Sequence, residues 1–373
     1  MNCKHFGSCG SCGLYGLEYL QQLKYKEDLV SKLLYPYYKD SLEVFDSMSS
    51  HYRARAEFRI WHSGERCDYA MGNIAKDGVV NISECPKVIY AIESRMWRLL
   101  KEINSSQTLK RKLFSVEFLA TTTDECLITM LYHRKLDDDW IEIAKELEIL
   151  LGCRIMGRSR KQKVVISDEY VVERLSIDSR NIVYREYESG FTQPNPNVNV
   201  KMIEWAISQA KKIDRGDLLE SYCGLGNFTI PLSFYFDKVL ATEVSKRSIY
   251  AAQNNCIQNS VDNISFARLS SEEMTKAING IRKFTRLEGI DLNSYNFSTV
   301  LVDPPRAGLD NDTIELISNI NYIIYISCNP ETLARDLEIL SKTHQVDKVA
   351  IFDQFPYTIH IESGVFLKRL ITS

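Results

Sequence analysis

The residues best placed to do chemistry begin with Cys328. It ends an uncharged run, Tyr322-Ile323-Ile324-Tyr325-Ile326-Ser327, and precedes Asn329-Pro330-Glu331. The run is β-branched and aromatic, which suits a buried strand. Asn329 is a good N-cap, Pro330 suits the first helical position and Glu331 the first turn; Leu333, Leu337 and Leu340 then repeat at helical spacing. Cys328 is thus expected at the carboxyl end of a strand, before a helix whose positive N-terminus favours the thiolate, the nucleophilic form. The plain alternative is a buried cysteine with no chemistry. Asp303 comes second. It follows the apolar Leu301-Val302, and Pro304-Pro305 after it fix a rigid turn that aims it into a cleft. The third group is a strand, a glycine turn and a helix, Asp217-Leu218-Leu219-Glu220-Ser221-Tyr222-Cys223-Gly224-Leu225-Gly226-Asn227-Phe228-Thr229, with Glu243 placed 17 residues beyond Gly226. Such a turn admits a close ligand, and the later carboxylate suits ribose hydroxyls, so an adenosyl cofactor is expected. NAD fits less well, because Thr229 stands where its third glycine would fall.

A fourth group opens the chain. Cys3-x5-Cys9-x2-Cys12 is interleaved with Gly7, Gly10 and Gly13. Three thiols on a tight glycine loop suit a metal, and both a [4Fe–4S] cluster and structural zinc take four ligands. Cys85, followed by Pro86, is the best local candidate for the fourth; Cys67 is another, and His5 could serve zinc.

Elements must carry these groups. The chain has 373 residues, 45% hydrophobic and 25% charged, which allows two domains with ample core. No apolar run has membrane-spanning length, and Met1-Asn2-Cys3-Lys4-His5 has no signal-peptide pattern, so a cytoplasmic protein is expected. Ten cysteines in that compartment point to metal ligands, catalytic groups or core, not disulfides. A net charge of −3 means that any nucleic-acid contact must come from a local patch. Leu14 to Leu34 reads as an amphipathic helix ending before Pro36. Tyr52 to Trp61 alternates with period two: Ala54, Ala56, Phe58 and Ile60 on one face, Arg53, Arg55, Glu57, Arg59 and Trp61 on the other. Three arginines and an aromatic on an exposed face could track phosphates and stack a base. A helix is expected from Lys87 to Ile103, a hairpin from Phe114–Leu119 and Cys126–Tyr132, and a helix from Asp139 to Leu151 stopped by Gly152. Residues 157–163 read as a basic loop between two short strands, a second candidate for phosphate contact. From Asp217, strands and helices alternate, with strands at Leu218–Ser221, Lys238–Thr242, Thr299–Val302, Ile323–Ser327, Lys348–Phe352 and Gly364–Leu370. The expected organisation is a cysteine motif and helix over 1–39, an α+β RNA-binding domain over 40–185 that includes Cys85, and a Rossmann-like α/β domain over 186–373.

Asp303-Pro304-Pro305-Arg306, Ser327-Cys328-Asn329-Pro330, Phe191-Thr192-Gln193-Pro194-Asn195 and Asp353-Gln354-Phe355-Pro356 together resemble the RNA 5-methyluridine methyltransferases, and within them the tRNA branch. Arg53–Trp61, Leu131–Trp140 and Asn279–Leu292 resemble that branch too, so the likeness covers nearly all of residues 40–373. It implies an S-adenosylmethionine-dependent enzyme in which Cys328 adds to carbon 6 of a uracil and Glu362, just before the last strand, is the general base at carbon 5. It further implies Gln193, Tyr222, Asn227, Glu243 and Asp303 as cofactor-pocket or base-pocket residues, and Phe191 as a stacking partner for a flipped uracil. The implied substrate is the T-loop uridine at position 54 of tRNA, with the T-loop of tmRNA as a second. A uridine of 23S ribosomal RNA is the alternative substrate. The alternative of another class is a non-catalytic RNA-binding iron–sulfur protein. The N-terminal cysteines resemble the iron–sulfur motif of the ribosomal-RNA branch, which makes Cys85, in Cys85-Pro86, the fourth ligand beside Cys3, Cys9 and Cys12. Remote in sequence from Cys328, that cluster is expected to be structural or RNA-positioning. A monomer without an obligate protein partner is expected.

Overall fold

The computed structural model describes residues 1–370. After the cysteine loop come helix α1 (Tyr19–Leu34) and strand β1 (Glu43–Phe45). A seven-stranded sheet follows: β2 (Arg55–Ser63), β3 (Arg66–Gly72), β4 (Val79–Asn81), β5 (Leu113–Ala120), β6 (Cys126–Tyr132), β7 (Arg154–Ser159) and β8 (Gln162–Val165), in spatial order 4-3-2-5-6-7-8. Helices α2 (Tyr90–Ser105), α3 (Gln107–Lys110) and α4 (Asp138–Leu151) are threaded between its strands. Neighbours in this sheet are antiparallel except β6 and β7, which α4 joins as a crossover. α4 has clear ends: the Asp137 side chain accepts from Trp140 N–H, and Gly152 terminates the helix at φ +59°. The alternation of β2 is realised, with Ala56, Phe58 and Ile60 buried and Glu57, Arg59 and Trp61 exposed.

A separate hairpin, β9 (Tyr170–Ile177) with β10 (Arg180–Tyr187), leads to α5 (Pro196–Ala210). The second large sheet is then built by β11 (Asp217–Ser221), α6 (Thr229–Ser233), β12 (Val239–Thr242), α7 (Lys246–Gln258), β13 (Ile264–Ala267), α8 (Ser271–Ile278), β14 (Phe297–Val302), α9 (Asn311–Ile317), β15 (Tyr322–Ser327), α10 (Pro330–Leu340), β16 (His344–Phe352) and β17 (Glu362–Arg369). Its order is β1-β16-β17-β15-β14-β11-β12-β13. All strands run parallel except β17, which pairs antiparallel with both β15 and β16. The sheet interior is uncharged at Ile323, Ile324, Tyr325 and Ile326, all fully buried, as a strand covered on both faces requires. The order reverses between β14 and β11, so the crevice for a ligand lies at the carboxyl ends of those strands.

Several boundaries differ from the sequence reading. α1 does not stand apart in an N-terminal module, and β1 does not join the α+β domain expected from residue 40. Val30 and Leu34 pack into the same core as Leu333, Leu337 and Leu340 of α10, and β1 extends the catalytic sheet along β16. The cause is long-range: Lys26 is buried against Asp353, 2.6 Å away, a partner 327 residues distant. Position 186 is no junction but lies inside β10, whose Ile182 and Tyr184 join the core of α5 and β11. The helix expected from Lys87 begins at Tyr90, because Ile89 is extended and Val88 bridges Arg53. The basic loop 157–163 is mostly strand, turning at Arg160 and Lys161, the latter at φ +61°.

Candidate active site

Strand ends place the chemistry. Ser221, Thr242, Val302 and Ser327 close β11, β12, β14 and β15, so Tyr222, Glu243, Asp303 and Cys328 emerge at one edge of the sheet. β17 begins at that same edge because it runs the other way. Its register pairs Ser363 with Ser327 and Glu362 with Phe352, which sets Glu362 beside the end of β15. Cys328 and Glu362 line one open cavity of about 780 Å³. Asn329 caps α10 through its side chain, and its amide donates to Arg306 O at 3.1 Å, tying the turn after Cys328 to the turn after Asp303.

The electrostatics differ from the sequence expectation. Burial first, then the negative potential of Glu362 and Asp303, pushes the Cys328 thiol up to about 11; Arg306 pulls the other way. The helix N-terminus does not prevail, because desolvation of the thiol, with the two carboxyls adding to it, outweighs the pull of Arg306. Burial lifts Asp303 to about 7. It holds Glu362 well above the usual carboxylate range, with Asp303 adding to the rise and Arg306 opposing it. At neutral pH Cys328 and Glu362 therefore keep their protons, while Asp303 sits near its midpoint.

The cofactor residues are arranged around the glycine turn. Gly224 and Gly226 have φ of +56° and +90°, and Tyr222 also adopts the left-handed region at +65°. Glu243 accepts from Gly224 N–H (3.2 Å) and Ser245 N–H (2.8 Å), leaving further lone pairs on both oxygens. Tyr222 Oη meets Ser271 Oγ at 2.6 Å. The Asn227 and Asn199 amides bond reciprocally at 2.8 and 2.9 Å. Gln193 Oε1 accepts from Gln354 at 3.2 Å, which leaves Gln354 Oε1 buried without a donor. Glu220, beneath the turn, has an equally unpartnered Oε2 and is lifted by burial to about 8. Buried acceptors with spare capacity fit a ligand that brings cations and hydroxyls, as S-adenosylmethionine does.

The opposite wall is basic. Arg53, Lys76 and Lys87 line the reaction cavity with Phe191, whose ring is 70% exposed and free to stack. The three expected arginines separate here. Arg53 faces the cavity. Arg55 is committed to Glu117 and to the Glu188 and Gly190 carbonyls. Arg59 is exposed and does not line that cavity. Cys3, Cys9, Cys12 and Cys85 all line one small cavity of about 30 Å³. Cys67 is elsewhere, buried in the α+β core with its sulfur 3.1 Å from His62 Nδ1. His5 lines the cysteine cavity, but its Nε2 accepts from Ser83 N–H at 2.9 Å. Among the described residues, no group of three or more His, Cys, Asp or Glu side chains is drawn close enough to hold a metal ion.

Residue reading missed His360, whose Nδ1 lies 2.5 Å from Arg306 Nη2 on the cavity rim, and Lys87, which bonds to Ser11. Neither has a local signal; loops from distant parts of the chain bring them in. Arg335 is explained as structural: it holds the Ala307 and Leu309 carbonyls and the carboxylate of Asp336.

A doubly wound sheet with a glycine turn after one central strand and an acid ending the next defines a Rossmann-like S-adenosylmethionine-dependent methyltransferase fold. The fold matches the solved Pyrococcus abyssi tRNA (uracil-54, C5)-methyltransferase in complex with S-adenosyl-L-homocysteine, with a TM-score of 0.73 and 22% identity over 96% of this chain and 85% of that one. Residues 18–370 match the model of the tRNA (Uracil-5-)-methyltransferase family. A tRNA/tmRNA (uracil-C(5))-methyltransferase of Sulfurovum sp. is 72% identical, covering 99% of this chain and 100% of its own. One of Nitratiruptor sp. is 53% identical with the same coverage. The chain belongs to the tRNA (uracil-5-)-methyltransferase family. Among the described residues, no helix is long and apolar enough to cross a membrane.

Proposed function

We propose that the protein methylates carbon 5 of the T-loop uridine of tRNA, position 54, and of the matching loop of tmRNA. The observation that carries this reading is the convergence of Cys328 and Glu362 on one cavity whose facing wall presents Arg53, Lys76 and an exposed Phe191. Bound S-adenosylmethionine supplies an electrophilic methyl on a cationic sulfur. Phe191 stacks on the uracil once it has left its own stack. Cys328 gives its proton to solvent and its sulfur bonds to carbon 6, which makes carbon 5 nucleophilic. After carbon 5 is methylated, Glu362, having released its own resting proton to solvent, takes the carbon 5 proton as a carboxylate, the carbon–sulfur bond breaks and the thiolate leaves. Gln193, Tyr222, Asn227, Glu243 and Asp303 form the cofactor pocket, and Arg53, with Arg59, holds RNA phosphates. Arg55 acts indirectly, through its ion pair. A single chain supplies every one of these groups, so a monomer suffices, and a tRNA substrate places the reaction in the cytoplasm.

The decisive experiment supplies tritiated cofactor with tRNA, tmRNA or 23S ribosomal RNA transcripts. Label in the T-loop of tRNA is expected; label only in ribosomal RNA would overturn the reading. A non-catalytic RNA-binding role predicts no label at all.

Cys3, Cys9 and Cys12, with Cys85, also support a metal centre, a [4Fe–4S] cluster in preference to zinc. Two segments 73 residues apart bring four free thiols to one cavity, and no disulfide competes. Burial holds the Cys3, Cys12 and Cys85 thiols up, which a bound metal would reverse. Anaerobic preparation should yield a brown protein with iron and sulfide in equal amounts. A colourless one containing zinc would refute iron–sulfur.

A further inference from the structure

The cysteine loop spans the two domains across the reaction cavity. On one side it continues the α+β sheet beyond β3. Cys9 bridges Asn73, Gly10 N–H donates to Gly72 O at 2.8 Å, and Ile74 N–H donates to Ser8 O at 3.1 Å. The fit is close enough to need glycine: a Cβ at position 10 would lie 2.8 Å from the Asn73 carbonyl oxygen.

On the other side the loop is pinned to the segment between β16 and β17 that leads to Glu362. Leu14 N–H donates to Tyr357 O at 3.0 Å, and the Phe6 and Tyr357 rings lie 5.6 Å apart. Tyr357 holds φ at +63° while almost wholly buried, a conformation that a bulky residue keeps only when its surroundings fix it. Its N–H donates to Gln22 of α1 at 2.8 Å. Between the two anchors, Gly10, Ser11 and Gly13 line the cavity that holds Cys328 and Glu362. The backbone N–H groups of Ser11, Cys12 and Gly13 have no backbone acceptor among the described residues. Lys76 and Lys87 stand beside them on the same wall.

We infer that the cysteine loop is a fixed wall of the substrate cleft, and that the sugar-phosphate backbone flanking the target nucleotide packs against residues 10–13. Open backbone N–H groups next to two cations are what a phosphate oxygen needs, and such contacts set register without reading sequence. The loop is remote from Cys328 along the chain, yet it belongs to the same cavity. The identity of the ligand rests on the reaction proposed above; the existence of the wall does not.

Two measurements on the full-length protein separate these claims. A T-arm RNA carrying 5-fluorouridine at the target position cannot release the carbon 5 substituent, so it should trap the Cys328 adduct as a slow-migrating band. In that complex, hydrogen exchange in peptides covering residues 8–14 should slow about ten-fold or more. An adduct with unchanged exchange there would overturn the wall. Absence of the adduct would instead overturn the reaction, leaving the wall to be judged on binding. Gly10→Ala should weaken T-arm RNA binding about ten-fold while leaving S-adenosylmethionine binding within about two-fold, since the new methyl must push the loop off Asn73. Unchanged RNA affinity in a folded Gly10→Ala protein would overturn the inference.

Discussion

The two walls of the reaction cavity solve opposite electrostatic problems. One carries Cys328, Glu362 and, behind them, Asp303, groups whose pKa values burial raises. The other carries Arg53, Lys76 and Lys87. A polyanionic substrate must approach a site that contains two acids. The structure meets this by desolvating the acids, which raises their pKa values, by keeping Arg306 beside them and by placing Arg53, Lys76 and Lys87 on the facing wall. The net charge of −3 conceals both arrangements. Substitutions on the first wall should therefore alter the chemical step and leave RNA affinity alone, and those on the second should do the reverse.

The largest effect belongs to Cys328→Ala, which should lower turnover by about four orders of magnitude or more and abolish the covalent RNA adduct. RNA dissociation constants should hold within about two-fold, as measured by filter binding. A parallel loss of binding would mean that the walls are not separable. Alkylation of Cys328 by iodoacetamide should keep accelerating with pH beyond 9, toward the value of about 11 that burial and the two acids impose. A plateau below pH 9 would show that the helix N-terminus wins after all.

Glu362→Gln should cost about two to three orders of magnitude in turnover and let the adduct accumulate, because carbon 5 keeps its proton. The same substitution should stabilise the protein at neutral pH. Glu362 binds its proton more tightly folded than unfolded. As pH rises above the ordinary carboxylate value, the unfolded chain gives up that proton first, so stability falls. Asp303 behaves alike between 3.8 and about 7. The glutamine variant should melt several degrees higher at pH 7.5, an advantage that vanishes near pH 4. An unchanged melting temperature would deny the buried carboxyl its strain.

Arg53→Ala tests the basic wall. Arg53 is held in a partly desolvated place, with burial pulling its pKa down and no carboxylate among its leading neighbours. The KM for tRNA should rise about ten-fold with kcat nearly unchanged, and the salt dependence of binding should lose about one ion. A drop in kcat alone would move Arg53 to the chemical wall.

The catalytic wall was the more legible in the sequence. Cys328 and Asp303 each follow a strand end of the doubly wound sheet, so the local signals Asn329-Pro330 and Pro304-Pro305 mark them; Glu362 has no such signal and was legible only through the family resemblance. What those signals could not supply was the sign of the potential at Cys328. That depends on Glu362 arriving through the antiparallel register of β17, 34 residues later. The basic wall was legible only as alternation. Period two sorted Arg53, Arg55 and Arg59 to one face but could not tell which of them faces a cavity. Lys87, His360 and the cysteine loop were assigned no place on the cavity, because contacts such as Leu14 to Tyr357 join residues with no local relation. The attachment of α1 and β1 to the catalytic sheet escaped for the same reason: Lys26 and Asp353 are an ordinary lysine and aspartate until folding buries them together.

The finest test lies within the arginine face itself. Arg55 has the same parity as Arg53, yet its guanidinium already meets Glu117 and two carbonyls. Removing it deletes no free cation. It leaves Glu117, about one-fifth exposed, without its partner, and two carbonyl groups short of a donor. Arg55→Ala should therefore lower stability by about 1–3 kcal/mol, seen as a lower midpoint in urea at unchanged m. It should leave the salt slope of RNA binding as in the wild type, and KM should change by no more than about two-fold at a temperature where the variant is folded. If Arg55→Ala instead reduced the salt slope by about one ion, the guanidinium would be reaching RNA in the complex. The distinction between a face that alternates correctly and a wall that binds would then have to be redrawn around Arg55.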